Sequence, residues 1–378
     1  MGTVICGEVQ GLAPCMARPE SDDLATRAHA LDRRGFLGVA GGAALLCGIG
    51  GRPVTQRTVA EVARADAAAR ALPKPASARD PIDTSQFQTP DPQPGGQRRE
   101  YWVAARSTTW NIAPTGRDEW MNHAIRGKKT FRALVYQLYS AGFAGPIGPA
   151  SMPGPTFEAE VGDTIAVHFR NADERFGQAL TVHPHGVRYN PEYDGAYLGD
   201  FTRAGGFVQP GEEFTYTWEA TPDSVGVWPY HDHGPNHTIN TMRGLFGAVV
   251  IRPRGTPPAD VEQVLVMHSF LPQVTKFDTA VQCFNGRVGA GNTPTVRARV
   301  GQDVALHVYG GDANFHTFHV HGHRWKDPSG AFVDCPTVGP NEAITARWRE
   351  DNPGRWLYHC HVASHQDTGM AGWYIAEP

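Results

Sequence analysis

The sequence predicts an all-β protein of two related β-sandwich domains behind an N-terminal leader, and three observations carry this reading. Stretches such as Tyr101-Trp102-Val103-Ala104, Thr164-Ile165-Ala166-Val167-His168-Phe169, Phe214-Thr215-Tyr216-Thr217-Trp218 and Gly247-Ala248-Val249-Val250-Ile251 are short, rich in β-branched and aromatic residues, and separated by turn clusters. Glycine (43) and proline (30) are abundant among 378 residues and charged residues make up only 19%, which suits turn-punctuated strands better than helix bundles. The chain also carries an internal duplication: residues 155–162 recur as 294–301, 183–186 as 319–322, 210–218 as 340–348, and 226–233 as 354–361, in one order. Duplication in register means two homologous sandwiches, residues 97–255 and 256–378, joined near Gly255-Thr256-Pro257-Pro258.

Ahead of the sandwiches, residues 1–70 read as a leader. Asp32-Arg33-Arg34-Gly35-Phe36-Leu37 followed by an apolar Gly/Ala-rich run to Gly51 has the form of a twin-arginine export signal. The run is short and broken by Gly48, Gly50 and Gly51, which argues against a membrane anchor. A periplasmic or extracellular location is the expectation. Ala65-Asp66-Ala67 has the composition of a cleavage site but lies far from the apolar run. Residues 71–96, rich in proline, serine and aspartate, read as an extended linker. The net charge of −4 with no basic stripe excludes nucleic acid as an expected partner. Cys283 and Cys335 are either a disulfide or two separate thiols, and spacing does not choose between them.

The chemistry lies in four short motifs: His183-Pro184-His185-Gly186, His231-Asp232-His233, His316-Thr317-Phe318-His319-Val320-His321, and Tyr358-His359-Cys360-His361-Val362-Ala363-Ser364-His365 closed by Met370. A thiolate among imidazoles and a thioether is a soft and borderline donor set suited to copper. On a strand, positions i and i+2 share a face. Each His-x-His pair can therefore converge on neighbouring metals, while Cys360, between His359 and His361, points the other way. The duplication shows an asymmetry: Asp232 stands where Cys360 stands and Leu180 where His316 stands, although His237 matches His365 and Met242 matches Met370. The first domain thus keeps a relic of a mononuclear site without its thiolate, expected to be copper-free. His323 is a candidate for the edge of the thiolate site; His123, His168, His268 and His307 read as ordinary residues.

From about Gln97 onward these motifs resemble, in order and spacing, the multicopper oxidases, and most closely the two-domain small laccases. The resemblance implies two cupredoxin-like Greek-key domains and four coppers per subunit. Type 1 copper would be held by His316, Cys360, His365 and Met370; type 2 by His183 and His319; the type 3 pair by His185, His231, His233, His321, His359 and His361. It implies one-electron oxidation of a phenol, aromatic amine or metal ion at type 1. Electrons then pass along Cys360 to His359 and His361, and O₂ is reduced to water. Tyr189 and Asp194, four and nine positions after His185, match a tyrosine and an aspartate of small laccases, implying a redox-active neighbour and a proton relay. A cuprous or ferrous oxidase is the nearest alternative. A copper nitrite reductase has no need of the type 3 pair, and a copper-storage protein has no need of a thiolate wire. With half the cluster ligands in each domain, the resemblance implies a head-to-tail homotrimer with clusters at subunit interfaces.

Overall fold

The computed structural model describes residues 58–75 and 91–378; the Arg33-Arg34 motif lies outside the described residues. The first sandwich uses β1 (Arg98–Asn111), β2 (Thr130–Tyr139), β3 (Phe157–Glu160), β4 (Thr164–Asn171), β5 (His183–Pro184), β6 (Glu213–Glu219), β7 (Gly226–His231) and β8 (Phe246–Arg252). One of its sheets runs β2-β1-β4-β6 and the other β3-β8-β7-β5. The second sandwich uses β9 (Val261–Phe270), β10 (Val281–Phe284), β11 (Val296–Arg299), β12 (Asp303–Gly310), β13 (His316–Val320), β14 (Thr337–Val338), β15 (Ala343–Arg349), β16 (Gly354–Cys360) and β17 (Ala371–Glu377). Its sheets run β10-β9-β12-β15 and β11-β17-β16-β13-β14.

The duplication seen in the sequence is a duplication of topology. β1 pairs in parallel with β4 as β9 does with β12, and β7 runs antiparallel to β8 as β16 does to β17. Pairing of β5 with β7 sets His183 opposite His231; pairing of β13 with β16 sets His319 opposite His359. Register, which hydrophobic alternation sets, thus brings two histidine-bearing strands side by side in each domain.

Each sandwich has its own apolar filling. Val103, Phe157, Val167 and Trp218 belong to the first, and Leu265, Phe284, Val304 and Phe318 to the second. A third cluster joins Trp110, Phe131 and Val250 to Val266, Phe270 and Tyr309 across the domain boundary. Two polar ties reinforce this seam: the Tyr309 hydroxyl donates to the Gly247 carbonyl at 2.9 Å, and Trp110 Nε1 to Gly286 at 2.6 Å. Apolar burial on both sides of the boundary holds the sandwiches together.

Helix α1 (Val59–Ala71) starts at a capping box between Thr58 and Glu61. The leader boundary expected at residue 70 falls in the last turn of this helix, and Ala65-Asp66-Ala67 is mid-helix, not an open cleavage segment. Val62 and Ala69 are buried. Among the described residues no helix is long and apolar enough to cross a membrane. Cys283 and Cys335 are both free, and Cys283 is fully buried, so the disulfide alternative falls away.

Candidate metal centre

The strand β16 ends in the second sandwich's core, where Tyr358 and Cys360 are fully buried beside Phe318 and Met370. The Cys360 Sγ lies 3.6 Å from His365 Nδ1 and 3.9 Å from His316 Nδ1. His316 comes from the start of β13, and His365 from the short helix α3 (Ala363–Gln366); the helix between His237 and Arg243 is α2. Two bonds of roughly 2.0–2.3 Å to one ion separate donor atoms by up to about 4 Å, so these three donors fit a single metal. Met370 is buried beside them, and its carbonyl accepts from the Cys360 amide at 3.1 Å. Burial would raise the Cys360 thiol, but hydrogen bonds from His316 and His365 outweigh it and bring it down to about 6. The thiolate, the form that binds metal, is thereby favoured.

Two further histidine groups lie one in each domain. His183, His185 and His231 converge in the first, and His319, His321 and His359 in the second. His185 Nε2 and His231 Nε2 are 3.0 Å apart; His321 Nε2 and His359 Nε2 are 3.1 Å apart. His233 and His361 stand beside the two groups, their rings 5.0 Å from His183 and 5.8 Å from His319. The anchoring is duplicated too. His183 Nδ1 donates to the Asp194 carbonyl at 2.6 Å, and His319 Nδ1 to the Asp334 carbonyl at 2.7 Å. His231 Nδ1 donates to the Asp232 carbonyl at 2.8 Å, and His359 Nδ1 to the Cys360 carbonyl at 2.9 Å. Each carbonyl fixes the tautomer and leaves Nε2 bare for a metal. His233 Nδ1 is buried with no hydrogen-bond partner, an orphan that a metal would satisfy. Burial and neighbouring imidazoles lower His185 to about 4; burial, despite the Asp232 carbonyl, lowers His231 to about 3. Neutral imidazoles are the ligand form. The glycine ending each His-x-His-Gly motif has positive φ, +70° at Gly186 and +73° at Gly322, and a Cβ at Gly186 would strike Trp228 at 2.0 Å.

Asp194 and Tyr189 stand beside the first group. Asp194 Oδ1 is 3.3 Å from His183 Nδ1, and the Tyr189 ring is 6.0 Å from the His183 ring. Burial, and then the negative charge of Asp194 and a hydrogen bond to it, raise the Tyr189 phenol to about 12. His323 is not at the edge of the thiolate site. It is buried, its Nε2 bonded to Glu350 at 3.1 Å, in a cluster with Trp348 and Tyr374. In the relic site Asp232 is fully buried and accepts from the Thr181 amide at 2.8 Å and Asn240 Nδ2 at 3.1 Å. No group of converging metal donors includes Asp232 or His237 among the described residues. His237 lies exposed, stacked 4.5 Å from His233. Asp312, which sequence reasoning missed, holds His316 Nε2 at 3.1 Å; its place four residues ahead of a ligand was its one signal.

Comparison with known proteins agrees with this geometry. Two family models, each described as multicopper oxidase, match residues 149–256 and 257–378, together more than half of the chain. Human hephaestin is 27% identical over 346 residues, which cover 74% of this chain and 29% of that protein. A probable nitrite reductase-hydroxylamine oxidoreductase fusion protein of Kuenenia stuttgartiensis is 28% identical over 243 residues, covering 60% of this chain and 28% of that one. The chain therefore spans less than a third of either relative. Among solved structures, a multicopper oxidase superposes with a TM-score of 0.59 at 24% identity, covering 77% of this chain and 93% of that one. The copper nitrite reductase of Nitrosomonas europaea superposes with a TM-score of 0.57 at 20% identity, covering 74% and 94%. These likenesses show the two-domain cupredoxin-like fold. With the family matches across both sandwiches, the chain belongs to the multicopper oxidases.

Proposed function

We propose that this chain is a laccase-like oxidase with four coppers per subunit: type 1 at His316, Cys360, His365 and Met370, type 2 at His183 and His319, and type 3 at the remaining six histidines. The single observation that carries this reading is the coexistence of a His-Cys-His donor triangle with two half-clusters of bare Nε2 atoms. Bound copper would take single electrons from a reductant and pass four of them to O₂, giving water.

The protein's own groups supply the rest. Cys360 lies in the core while its neighbours His359 and His361 belong to the cluster side, so the path between centres is covalent and short. His316 is fully buried and its Nε2 is taken by Asp312, whereas His365 is half-buried, so a reductant approaches the His365 edge. A cavity of about 510 Å³ reaches the loop that follows His365. Its wall includes Asp367, Thr368 and Gly369 from the loop between His365 and Met370, with apolar Ile112, Phe277 and Val288. The rest of its lining mixes charged groups, Asp118, Arg126, Lys128 and Asp278, with apolar Ile125 and Val281, which suits a small molecule that carries both an apolar ring and polar substituents. On the cluster side, Asp194 contacts both His183 and Tyr189, as a proton relay must.

Among the described residues, no hydrogen bond or ring contact joins the first-domain histidines to the second-domain set. His321 and His361 are exposed. Both facts support a ring in which the first domain of one chain meets the second domain of the next, as a homotrimer. The Arg33-Arg34 motif supports export in the folded state.

Similarity to hephaestin and to ferroxidase HEPHL1 favours one second reading, a metal-ion oxidase. The test is O₂ uptake by the copper-loaded protein with a phenol, with Fe(II) and with Cu(I), beside a nitrite-reduction assay and metal analysis. Phenol-driven O₂ uptake at close to four coppers per chain is expected. Faster turnover of the metal ions would select the second reading; nitrite reduction without O₂ uptake would sink both.

A further inference from the structure

In the second domain one metal would tie three segments together: the start of β13 at His316, the end of β16 at Cys360 and helix α3 at His365. The matching segments of the first domain carry no such donor set, yet they hold His183, His231 and His233 in place. Asp232, at the place of Cys360, makes the same three-way tie with a carboxylate. It accepts from the Thr181 amide at 2.8 Å, two residues before His183, and from Asn240 of α2 at 3.1 Å. Thr181 Oγ1 in turn accepts from the His233 amide at 2.9 Å. Thr181, Asp232 and Asn240 are all fully buried.

This tie continues to helix α1. Asn240 shares Gln178 Oε1 with Asn236, and its own Oδ1 accepts from Arg243 at 3.2 Å. Arg243, 4% exposed, forks onto Asp66 at 2.8 and 2.6 Å, and its guanidinium lies over the Phe176 ring at 4.1 Å. Asp66 also accepts from Gln178 Nε2 at 2.8 Å and Asn236 Nδ2 at 2.9 Å. Val62, Asp66 and Ala69 stand at i, i+4 and i+7, one face of the helix. Only Val62 and Ala69 are buried apolar residues among its thirteen. The carboxylate, more than apolar area, therefore seats this helix, and every donor around it is satisfied.

We propose that Asp66 is a positioning residue for the first-domain half of the copper cluster. Through Arg243, Gln178, Asn236 and Asn240 it seats Asp232, and Asp232 sets the segments that carry His183, His231 and His233. This rests on the copper reading above. It also requires that helix α1 stay with the mature protein, so leader processing cuts before Thr58.

The experiment uses the full chain, copper-loaded, in three forms: wild type, Asp66→Ala, and Asp66→Leu combined with Arg243→Met. The double variant removes the buried guanidinium and its half-buried carboxylate together, so it separates positioning from mere charge compensation. The thiolate-to-copper band reports type 1; metal analysis with electron paramagnetic resonance reports the cluster coppers. Wild type without both signals would defeat the copper reading itself. With both present, both variants are expected to keep the thiolate band and to bind cluster copper about 10-fold more weakly, the lower end of what losing a direct partner of a metal ligand costs, since Asp66 acts at a remove. Full cluster copper in Asp66→Ala, its recovery in the double variant, or parallel loss of both centres would each overturn the proposal. So would an exported, fully loaded protein whose intact mass places its N-terminus beyond Asp66.

Discussion

His316 gives its Nε2 proton to Asp312 at 3.1 Å while its Nδ1 faces the Cys360 sulfur at 3.9 Å. The ring is thus held between a carboxylate and the proposed copper position. Burial alone would raise the Asp312 carboxyl, but His316 brings it down to about 2, so the carboxylate stays charged. That negative charge favours the oxidised, more positive metal. Asp312→Asn keeps an acceptor for Nε2 and removes the charge. The type 1 reduction potential is expected to rise by on the order of 60 mV, a tenfold change for one electron. A redox titration on the thiolate band checks it, and a lower or unchanged potential would count against the arrangement.

Asp194 acts through two different atoms. Its backbone carbonyl anchors His183, and its side chain meets Tyr189 and the His183 ring. Asp194→Asn leaves the carbonyl in place. Copper content should stay at the wild-type level while O₂ consumption falls about 100-fold or more, the range for losing a proton-transfer group. If copper is lost instead, the side chain is structural.

Shared clusters can be tested by subunit mixing. A His231→Ala chain damages the first-domain half and a His359→Ala chain the second. Each alone should be inactive. Co-refolded at equal amounts, a random ring has about one interface in four built from two intact halves, so about a quarter of wild-type turnover should return. No recovery in mixed oligomers would show that each cluster is built within one chain.

The domain junction supplies a pH dependence. Arg252 at the end of β8 pairs with Glu262 at the start of β9 and with Glu158 at 3.0 Å. Burial would raise Glu262, yet His307 and Arg252 lower it to about 2. His307 Nε2 stands 3.9 Å away, beyond hydrogen-bond reach, so the guanidinium is the stronger hold. The folded value lies below the ordinary 4.5. The pair therefore stabilises fully above pH 4.5, and its contribution is lost as pH falls toward 2. With the carboxylate partly wetted, that contribution is roughly 2 kcal/mol. Urea midpoints should separate wild type from Glu262→Gln at pH 7 and converge as pH falls to about 2. An equal gap at both pH values would rule the pair out as the cause.

Strand alternation, the repeat and the donor chemistry were legible in the sequence because they are local or periodic: His359, Cys360 and His361 need only the pleat to face opposite sides. The sequence by itself therefore determined two β-sandwiches, the four histidine- and cysteine-bearing motifs, and the loss of the thiolate at Asp232. Only the tertiary structure decided which nitrogen His183 and His319 offer, because that follows from carbonyls of Asp194 and Asp334, eleven and fifteen residues away in the chain. It also placed residues 59–71 in a helix packed on the first sandwich, and moved His323 from a site edge to a buried pair with Glu350. Asp66 meets Arg243 across 177 residues. No local pattern encodes such a contact; burial makes it matter, since a desolvated charge must find its partner wherever the fold places it.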